Sequence, residues 1–358
     1  MKITGFIFNL SKGGAQGVFV TMINYFYDNG YDIDVVVQSL DDPVNKEKLR
    51  DGIDVTSLNA DSAKDSLISL NRYVRQHKIE IAWVYGPELA VNLYIIKYIN
   101  RKTFPIFARS INILSVEFNH TTSIFRKYVT HSLIKVFYKK VDAIVAQSYQ
   151  MGIDLIENYG FNKERVEVIN NALSDKYEME LRSNKTYIKQ DYMLYAGRLE
   201  HQKGLEMLLL AFSQMRHKTI DLYLVGDGKQ KIELKKMCEA LNIQSRVKFI
   251  PYASNLEEYY RTAKLTVLTS YYEGFPNVLI ESLACGTPVV AFDLPSGPSE
   301  IINEDNGILI DYLDVDAFAK ACDEGINRQW NVDSIKSSAK RYDKNIILNG
   351  YLDLMKRT

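Results

Sequence analysis

The sequence predicts an α/β protein made of two consecutive Rossmann-like domains, each a parallel sheet covered by helices. Three observations lead there. Short β-branched and aromatic runs recur along the 358 residues, each followed by a longer stretch of helical period, the pattern of right-handed βαβ units. Several runs are apolar almost throughout, as in Asp34-Val35-Val36-Val37, which suits strands covered on both faces. The chain is also too long for one core at about 150 residues per domain.

Taken in order, strands are expected at Ile3–Phe8, Ile33–Gln38, Ile79–Tyr85, Pro105–Ala108, Ala143–Ala146 and Val166–Ile169. A second series follows at Tyr192–Ala196, Leu222–Val225, Val247–Ile250, Leu265–Leu268, Pro288–Ala291 and Gly307–Ile310. Two sets of about six place ligands at the carboxyl ends of the strands, in a cleft between the domains. A polar stretch from Glu178 to Gln190 has little periodic apolar content. The first domain is therefore drawn as residues 1–172 and the second as 173–339. The last helical segment, about Ser334–Lys356, has no strand to cross over to. Residues 340–358 are expected to pack back on the first domain.

Composition removes several classes. With 44 Lys+Arg against 44 Asp+Glu, there is no basic excess to displace counterions from nucleic acid. Cys238, Cys285 and Cys322 are too few and too scattered for a disulfide framework or zinc knuckle, and fit a reducing cytoplasm. No stretch approaches the roughly 18 apolar residues of a membrane span. Ile3–Phe8 runs straight into Ser11-Lys12-Gly13-Gly14 with no signal-peptide cleavage site. The expected location is the cytoplasm.

The chemistry concentrates in the second half. In Tyr195-Ala-Gly197-Arg198-Leu-Glu-His-Gln-Lys203-Gly204 a strand ends and a glycine turns the backbone. A guanidinium fork and a compact ammonium follow, both suited to a diphosphate. In Glu273-Gly274-Phe275-Pro276-Asn277-Val278-Leu279-Ile280-Glu281, Pro276 suits the first position of a helix. That leaves the amides of Asn277, Val278 and Leu279 free for an anion. The carboxylates of Glu273 and Glu281 accept from paired sugar hydroxyls. Taken alone, Arg198 and Lys203 read as solvated surface charges, whereas the placement of Glu273 and Glu281 around a Gly-Phe-Pro helix start speaks against ordinary exposed acids.

These residues resemble the retaining nucleotide-sugar glycosyltransferases of the GT-B fold, specifically glycosyltransferase family 4. The family signature, two glutamates with seven residues between them, is met by Glu273 and Glu281. Gly197-Arg198, Lys203-Gly204, Leu224-Val225-Gly226-Asp227-Gly228 and Ala284-Cys-Gly286-Thr-Pro288 follow the same pattern. The first domain matches weakly, through Gly13-Gly14-Ala15-Gln16. The resemblance implies that Arg198 and Lys203 neutralise the donor diphosphate. It has Glu273 holding the donor sugar, with the backbone of Gly274, Phe275 and Asn277. It has Glu281 holding the ribose, the loop after Ile250 cradling the base, and Gly13 and Gly14 admitting diphosphate and acceptor. It further implies a hexose or N-acetylhexosamine donated by a UDP-sugar, with no metal and no other cofactor. The acceptor would be a glycan, polyprenyl-diphosphate-linked, in surface-polysaccharide synthesis. Where family members carry a histidine after the fourth strand, this chain reads Phe107-Ala-Arg109-Ser110-Ile-Asn112. Arg109 and Asn112 are the replacement candidates for donor or acceptor contact. The segment Asp293-Leu-Pro-Ser296-Gly297-Pro298-Ser299 serves either the nucleotide pocket or a rigid turn capped by Ser299.

From Phe118 to Val141 there is no acidic residue, while Arg126, Lys127, Lys135, Lys139 and Lys140 interleave with Phe125, Tyr128, Val129, Leu133, Val136 and Phe137. Residues 118–141 thus read as an amphipathic basic face for anionic headgroups or a diphosphate-linked lipid, or as a core helix with a solvated flank. Two other functions stay open: a nucleotide-sugar epimerase or phosphorylase of the same fold, and a non-catalytic partner subunit. A nicotinamide dehydrogenase is excluded, because Gly13-Gly14-Ala-Gln-Gly17 breaks the Gly-x-Gly-x-x-Gly spacing.

Overall fold

The computed structural model describes residues 1–11, 13–61, 65–120, 128 and 130–357, without the side chains of 119 and 120. The chain divides into two compact units, Met1–Asn171 with Ile347–Thr358, and Ala172–Ile346. The return to the first unit comes at 347, later than the position near 340 read from the sequence.

The first unit holds β1 (Lys2–Ile7), β2 (Asp32–Val37), β3 (Asp54–Ser57), β4 (Ile81–Tyr85), β5 (Ile106–Arg109), β6 (Ala143–Ala146) and β7 (Val166–Val168). They form one parallel sheet in the order β3-β2-β1-β4-β5-β6-β7. Strand β3 is an addition to the expected six. It is polar, Asp-Val-Thr-Ser, with alternating exposure, so it lacks the apolar run that betrays a central strand. All five residues of β4 are buried, as are all four of β6.

The second unit holds β8 (Tyr192–Ala196), β9 (Asp221–Val225), β10 (Val247–Ile250), β11 (Leu265–Leu268), β12 (Val289–Phe292) and β13 (Gly307–Ile310). These run parallel in the order β10-β9-β8-β11-β12-β13. Each unit is a doubly wound parallel α/β sheet, as the sequence predicts.

The expected long final helix is two helices, Val332–Ala339 and Lys344–Arg357. Asp343, extended at φ −52° and ψ 137°, separates them. From Ile347 onward the second of these packs into the first unit. Leu348, Tyr351, Leu352 and Met355 are buried, and the indole of Trp83 donates to Met355 Sδ at 3.1 Å. Trp83 itself is fully buried and stacks on Phe107 with ring centroids 5.0 Å apart. Each such apolar side chain contributes about 1.5–3 kcal/mol by leaving water, so the terminal helix is integral to that core.

Candidate active site

Strands β8 and β11 are hydrogen-bonded neighbours, and the strand order of the second sheet reverses between them. Open α/β sheets hold ligands at this place, outside the carboxyl ends of the strands. The loop leaving β8 carries Gly197 to Gly204, and the loop leaving β11 carries Thr269 to Pro276.

Contact between the loops is tight. Gly204 has φ +57°, and a Cβ there would sit 2.2 Å from the carbonyl oxygen of Thr269, so only glycine permits this approach. Thr269 Oγ1 donates to the Lys203 carbonyl at 3.3 Å. Lys203 Nζ thereby reaches Glu273 Oε1 at 2.6 Å, both side chains being largely buried. Ser270, fully buried, donates its hydroxyl to the same Oε1 at 2.6 Å. Glu273 Oε2 accepts from no group among the described residues. Arg198 is exposed, and its NH2 donates to Gln202 Oε1 at 3.2 Å. Gln202 in turn donates to the Tyr272 carbonyl at 2.9 Å and accepts from the Tyr271 amide at 2.8 Å. The Tyr195 hydroxyl, buried beneath the loop and bonded to the Arg198 carbonyl at 2.7 Å, is pushed well above its ordinary range. Desolvation is the main cause, and Glu273 adds to it while Arg198 opposes it.

The helix Asn277–Ala284 starts one residue later than the sequence suggested, with Pro276 as its cap at φ −82° and ψ 86°. Those angles make an inverse γ-turn, in which the Asn277 amide donates to the Phe275 carbonyl at 3.0 Å. The Leu279 amide donates to the Pro276 carbonyl at 3.0 Å, and the Leu279 side chain is fully buried. The expectation of three free amides at 277–279 is therefore corrected. The turn consumes that of Asn277, the Pro276 carbonyl takes that of Leu279, and Val278 keeps its own. The amides of Gly274 and Phe275, both buried residues, also donate to no group among the described residues. Buried backbone N–H groups are almost always paired, so the unspent amides make this loop a candidate for binding a ligand. The Phe275 ring packs edge-on against Tyr342, which anchors the backbone. Behind the loop, Ser296 donates to the Gly274 carbonyl at 2.8 Å. Gly297, at φ +95°, caps the short helix Pro298–Ile301. A Cβ there would strike Pro276 Cδ at 2.4 Å. Ser299 lies inside that helix and is not its cap; the segment braces the loop of Glu273.

Glu281 lies just over one turn along the same helix and accepts from the Tyr260 hydroxyl through Oε2 at 3.2 Å. Burial raises its carboxyl above the usual range, while Lys176 and the hydroxyls of Tyr260 and Tyr177 pull it back.

The first-unit candidates fare differently. Arg109 is corrected. It ends β5, is fully buried, and donates from Nε to the Tyr351 hydroxyl at 2.6 Å and from NH2 to Asn171. Its guanidinium also lies over the Tyr85 ring. A central parallel strand is covered on both faces, so its arginine fastens the terminal helix instead of meeting substrate. Asn112 is half-buried, and its carbonyl accepts from the Ser110 hydroxyl. Gly13 and Gly14 are exposed at the start of the helix Gly14–Asp28. Gly13 is extended, with φ 179°, a conformation open to any residue. Of the basic segment, residues 121–127 and 129, including Phe125, Arg126, Lys127 and Val129, lie outside the described residues.

Comparison with known proteins now adds to this geometry. The sequence profile described as Glycosyltransferase Family 4 matches residues 12–176, and that of Glycosyl transferases group 1 matches 177–346. The chain belongs to the family 4 glycosyltransferases. The family 4 chain is 27% identical over 226 residues to the N-acetylgalactosamine-N,N'-diacetylbacillosaminyl-diphospho-undecaprenol 4-alpha-N-acetylgalactosaminyltransferase of Campylobacter jejuni. That match covers 62% of this chain and 61% of the relative. It is 35% identical over 130 residues to the amylovoran biosynthesis glycosyltransferase AmsD of Erwinia amylovora, covering 36% and 37% of the two chains. The family 4 chain thus spans less than two thirds of the length of these curated relatives. Among solved structures, Anabaena HepE in complex with UDP superposes with a TM-score of 0.82 at 20% identity, over 100% of both chains. The apo lipopolysaccharide outer core galactosyltransferase WaaB gives 0.79 at 18%, over 100% of this chain and 99% of the other.

Sequence reasoning missed Gln202, Ser270, Ser296 and Tyr260 in the family 4 chain. Ser270 stands three residues before Glu273 and carried a local signal, since a short hydroxyl side chain readily bonds a nearby carboxylate. Tyr260 and Ser296 meet their partners only through the packing of separate elements, which no local pattern announces.

Proposed function

We propose that this chain is a retaining glycosyltransferase that moves a hexose or N-acetylhexosamine from a UDP-sugar to a polyprenyl-diphosphate-linked glycan, in surface-polysaccharide assembly. The observation that carries the proposal is the Lys203–Glu273 pair at 2.6 Å, set beside the unspent amides of Gly274, Phe275 and Val278. One cation, one acceptor and several fixed donors meet on two adjoining loops. The Campylobacter jejuni relative is named for a diphospho-undecaprenol-linked acceptor, and HepE has been solved with UDP and with UDP-glucose, which supports the same chemistry here.

In this scheme the glycosidic bond breaks toward the diphosphate, and the sugar carries oxocarbenium character. Lys203 and Arg198 meet the charge that grows on the leaving group, and the Val278 amide adds the positive end of its helix. Once the donor is bound these groups stay fixed while the bond breaks, which is why such preorganised charge lowers a barrier most. Glu273 accepts from the donor sugar's hydroxyls through its open oxygen. The scheme assigns neutralisation to the protein, without a metal ion. The test is UDP release from a panel of UDP-hexoses and UDP-N-acetylhexosamines, with and without a polyprenyl-diphosphate glycan. Release that requires acceptor and persists in EDTA supports the reading. Sugar isomerisation without UDP release marks an epimerase, and no turnover of any donor marks a non-catalytic subunit.

The raised carboxyl of Glu281 has a measurable consequence. Ribose hydroxyls are best held by the ionised, acceptor-only form. A raised acid protonates earlier as pH falls, so affinity for UDP declines between neutrality and the usual carboxylate range. In Glu281→Gln that component of the pH profile disappears, although the titration of UDP itself remains. Parallel binding curves for the two proteins check the expectation.

The described part of the basic segment supports contact with a membrane surface. In the helix His131–Phe137 and the turn after it, Leu133 and Val136 are exposed beside exposed Lys135, Lys139 and Lys140. Tyr94 of the neighbouring helix Pro87–Ile99 packs on Phe137, and Tyr98 and Ile99 follow it into solvent. Among the described residues no helix is long and apolar enough to cross a membrane. Peripheral binding to the cytoplasmic leaflet is the reading this face supports. Co-sedimentation with phosphatidylglycerol vesicles is expected at low ionic strength, falling with salt as the charges are screened. Leu133→Asp with Val136→Asp abolishes it.

A further inference from the structure

Resting on the donor-site reading above, we infer that Ser270 and Tyr260 are positioning residues, each holding one of the two carboxylates, so that the sugar and ribose ends of the donor are recognised through separately supported acids. Ser270 serves Glu273 and Tyr260 serves Glu281.

The supports differ in origin. Ser270 and Glu273 lie on the same loop after β11, and the hydroxyl meets Oε1 at 2.6 Å. Lys203 competes for that same oxygen from the β8 loop at 2.6 Å. When the ammonium turns toward an incoming diphosphate, the serine bond is what keeps the carboxylate in place. Oε2 then stays directed to whatever sugar hydroxyl arrives. Tyr260 lies on the helix Leu256–Thr262 and is fully buried. Its hydroxyl meets Glu281 Oε2 at 3.2 Å, and its ring packs edge-on against Tyr177, centroids 5.9 Å apart. A buried ring of this kind has little rotational freedom, so it fixes the rotamer of the acid it touches. No hydrogen bond or ion pair among the described residues joins the Ser270–Glu273 pair to the Tyr260–Glu281 pair.

Separate supports give distinguishable binding signatures. Ser270→Ala loosens only the acid that meets the sugar. Affinity for a UDP-sugar therefore falls roughly tenfold, the scale of one hydrogen bond to a charged group, while affinity for UDP itself is unchanged. Tyr260→Phe loosens the acid that meets the ribose, so UDP and UDP-sugar weaken by the same factor. A merely structural role would not separate the two ligands, because general loosening of the loop weakens both.

The experiment measures Kd by calorimetry for UDP, UDP-glucose, UDP-galactose, UDP-N-acetylglucosamine and UDP-N-acetylgalactosamine on the full chain. Wild type, Ser270→Ala, Ser270→Cys and Tyr260→Phe are compared, with melting temperature recorded for each. Ser270→Cys keeps the buried volume with a much weaker donor, and covers the case in which the alanine variant fails to fold. A selective loss of UDP-sugar affinity in the Ser270 variants, with a uniform loss in Tyr260→Phe, is the expected result. Equal weakening of both ligands in the Ser270 variants, or none, overturns the inference while the donor reading stands. If wild type binds no member of the panel, the donor reading falls and takes this inference with it.

Discussion

Lys203→Ala lowers turnover by roughly 10²–10³-fold, the cost of one fixed donor aimed at developing charge. The substitution also leaves Glu273, 8% exposed, without its cation. Breaking such a pair from one side costs about 3–5 kcal/mol, because the surviving charge stays desolvated. Activity and stability therefore fall together, and a single variant cannot tell a dead site from a damaged one. The double variant Lys203→Met with Glu273→Leu separates them. Replacing both partners by apolar residues of similar volume is often neutral or stabilising, so thermal stability returns toward the wild type. Turnover does not, since both the cation and the hydroxyl acceptor are gone. Steady-state kinetics and thermal unfolding on the three proteins decide the matter. Turnover of Lys203→Ala close to that of the wild type would remove the ammonium from the mechanism.

Gly204→Ala is the second large effect, and it acts without touching a charge. At φ +57° a side chain costs about 1–2 kcal/mol in backbone strain alone. The new methyl would also sit 2.2 Å from the Thr269 carbonyl oxygen. That oxygen belongs to backbone, so the two loops must part. Lys203 is the next residue, and parting moves its ammonium away from Glu273. Misplacement on the order of 1 Å can cost about 10²-fold in rate. The expected outcome is a fall in kcat well beyond the loss of melting temperature, with Lys203 and Glu273 both still present. Structure determination of the variant would show the loops apart. A variant with wild-type kcat would mean that the close approach serves stability only.

What could be read from the chain alone depended on distance along it. The two glutamates with seven residues between them, the glycine before Arg198 and the proline before a helix are local patterns, and the structure sets the two loops that carry them side by side. Buried parallel strands were equally legible, because a run such as that of β8 is apolar on both faces. Strand β3 escaped because an edge strand is half solvated and its residues are polar. The amides of Asn277 and Leu279 were misjudged by a smaller margin. Pro276 took the cap position, so a γ-turn spent the Asn277 amide and the Pro276 carbonyl accepted that of Leu279.

By itself the sequence determined the fold class, the order of the elements and the identity of the charged groups, since helical and strand periodicity are properties of neighbours. Only tertiary structure decided which of those groups meet. Lys203 and Glu273 stand 70 residues apart in the chain, and they touch because β8 and β11 are adjacent where the strand order reverses. Arg109 was a substrate candidate by position, yet its partner Tyr351 lies 242 residues away, on a helix whose docking no local pattern reveals. Strand order is a non-local choice, made by the burial of whole faces, and it is this choice that turns separate loops into a site.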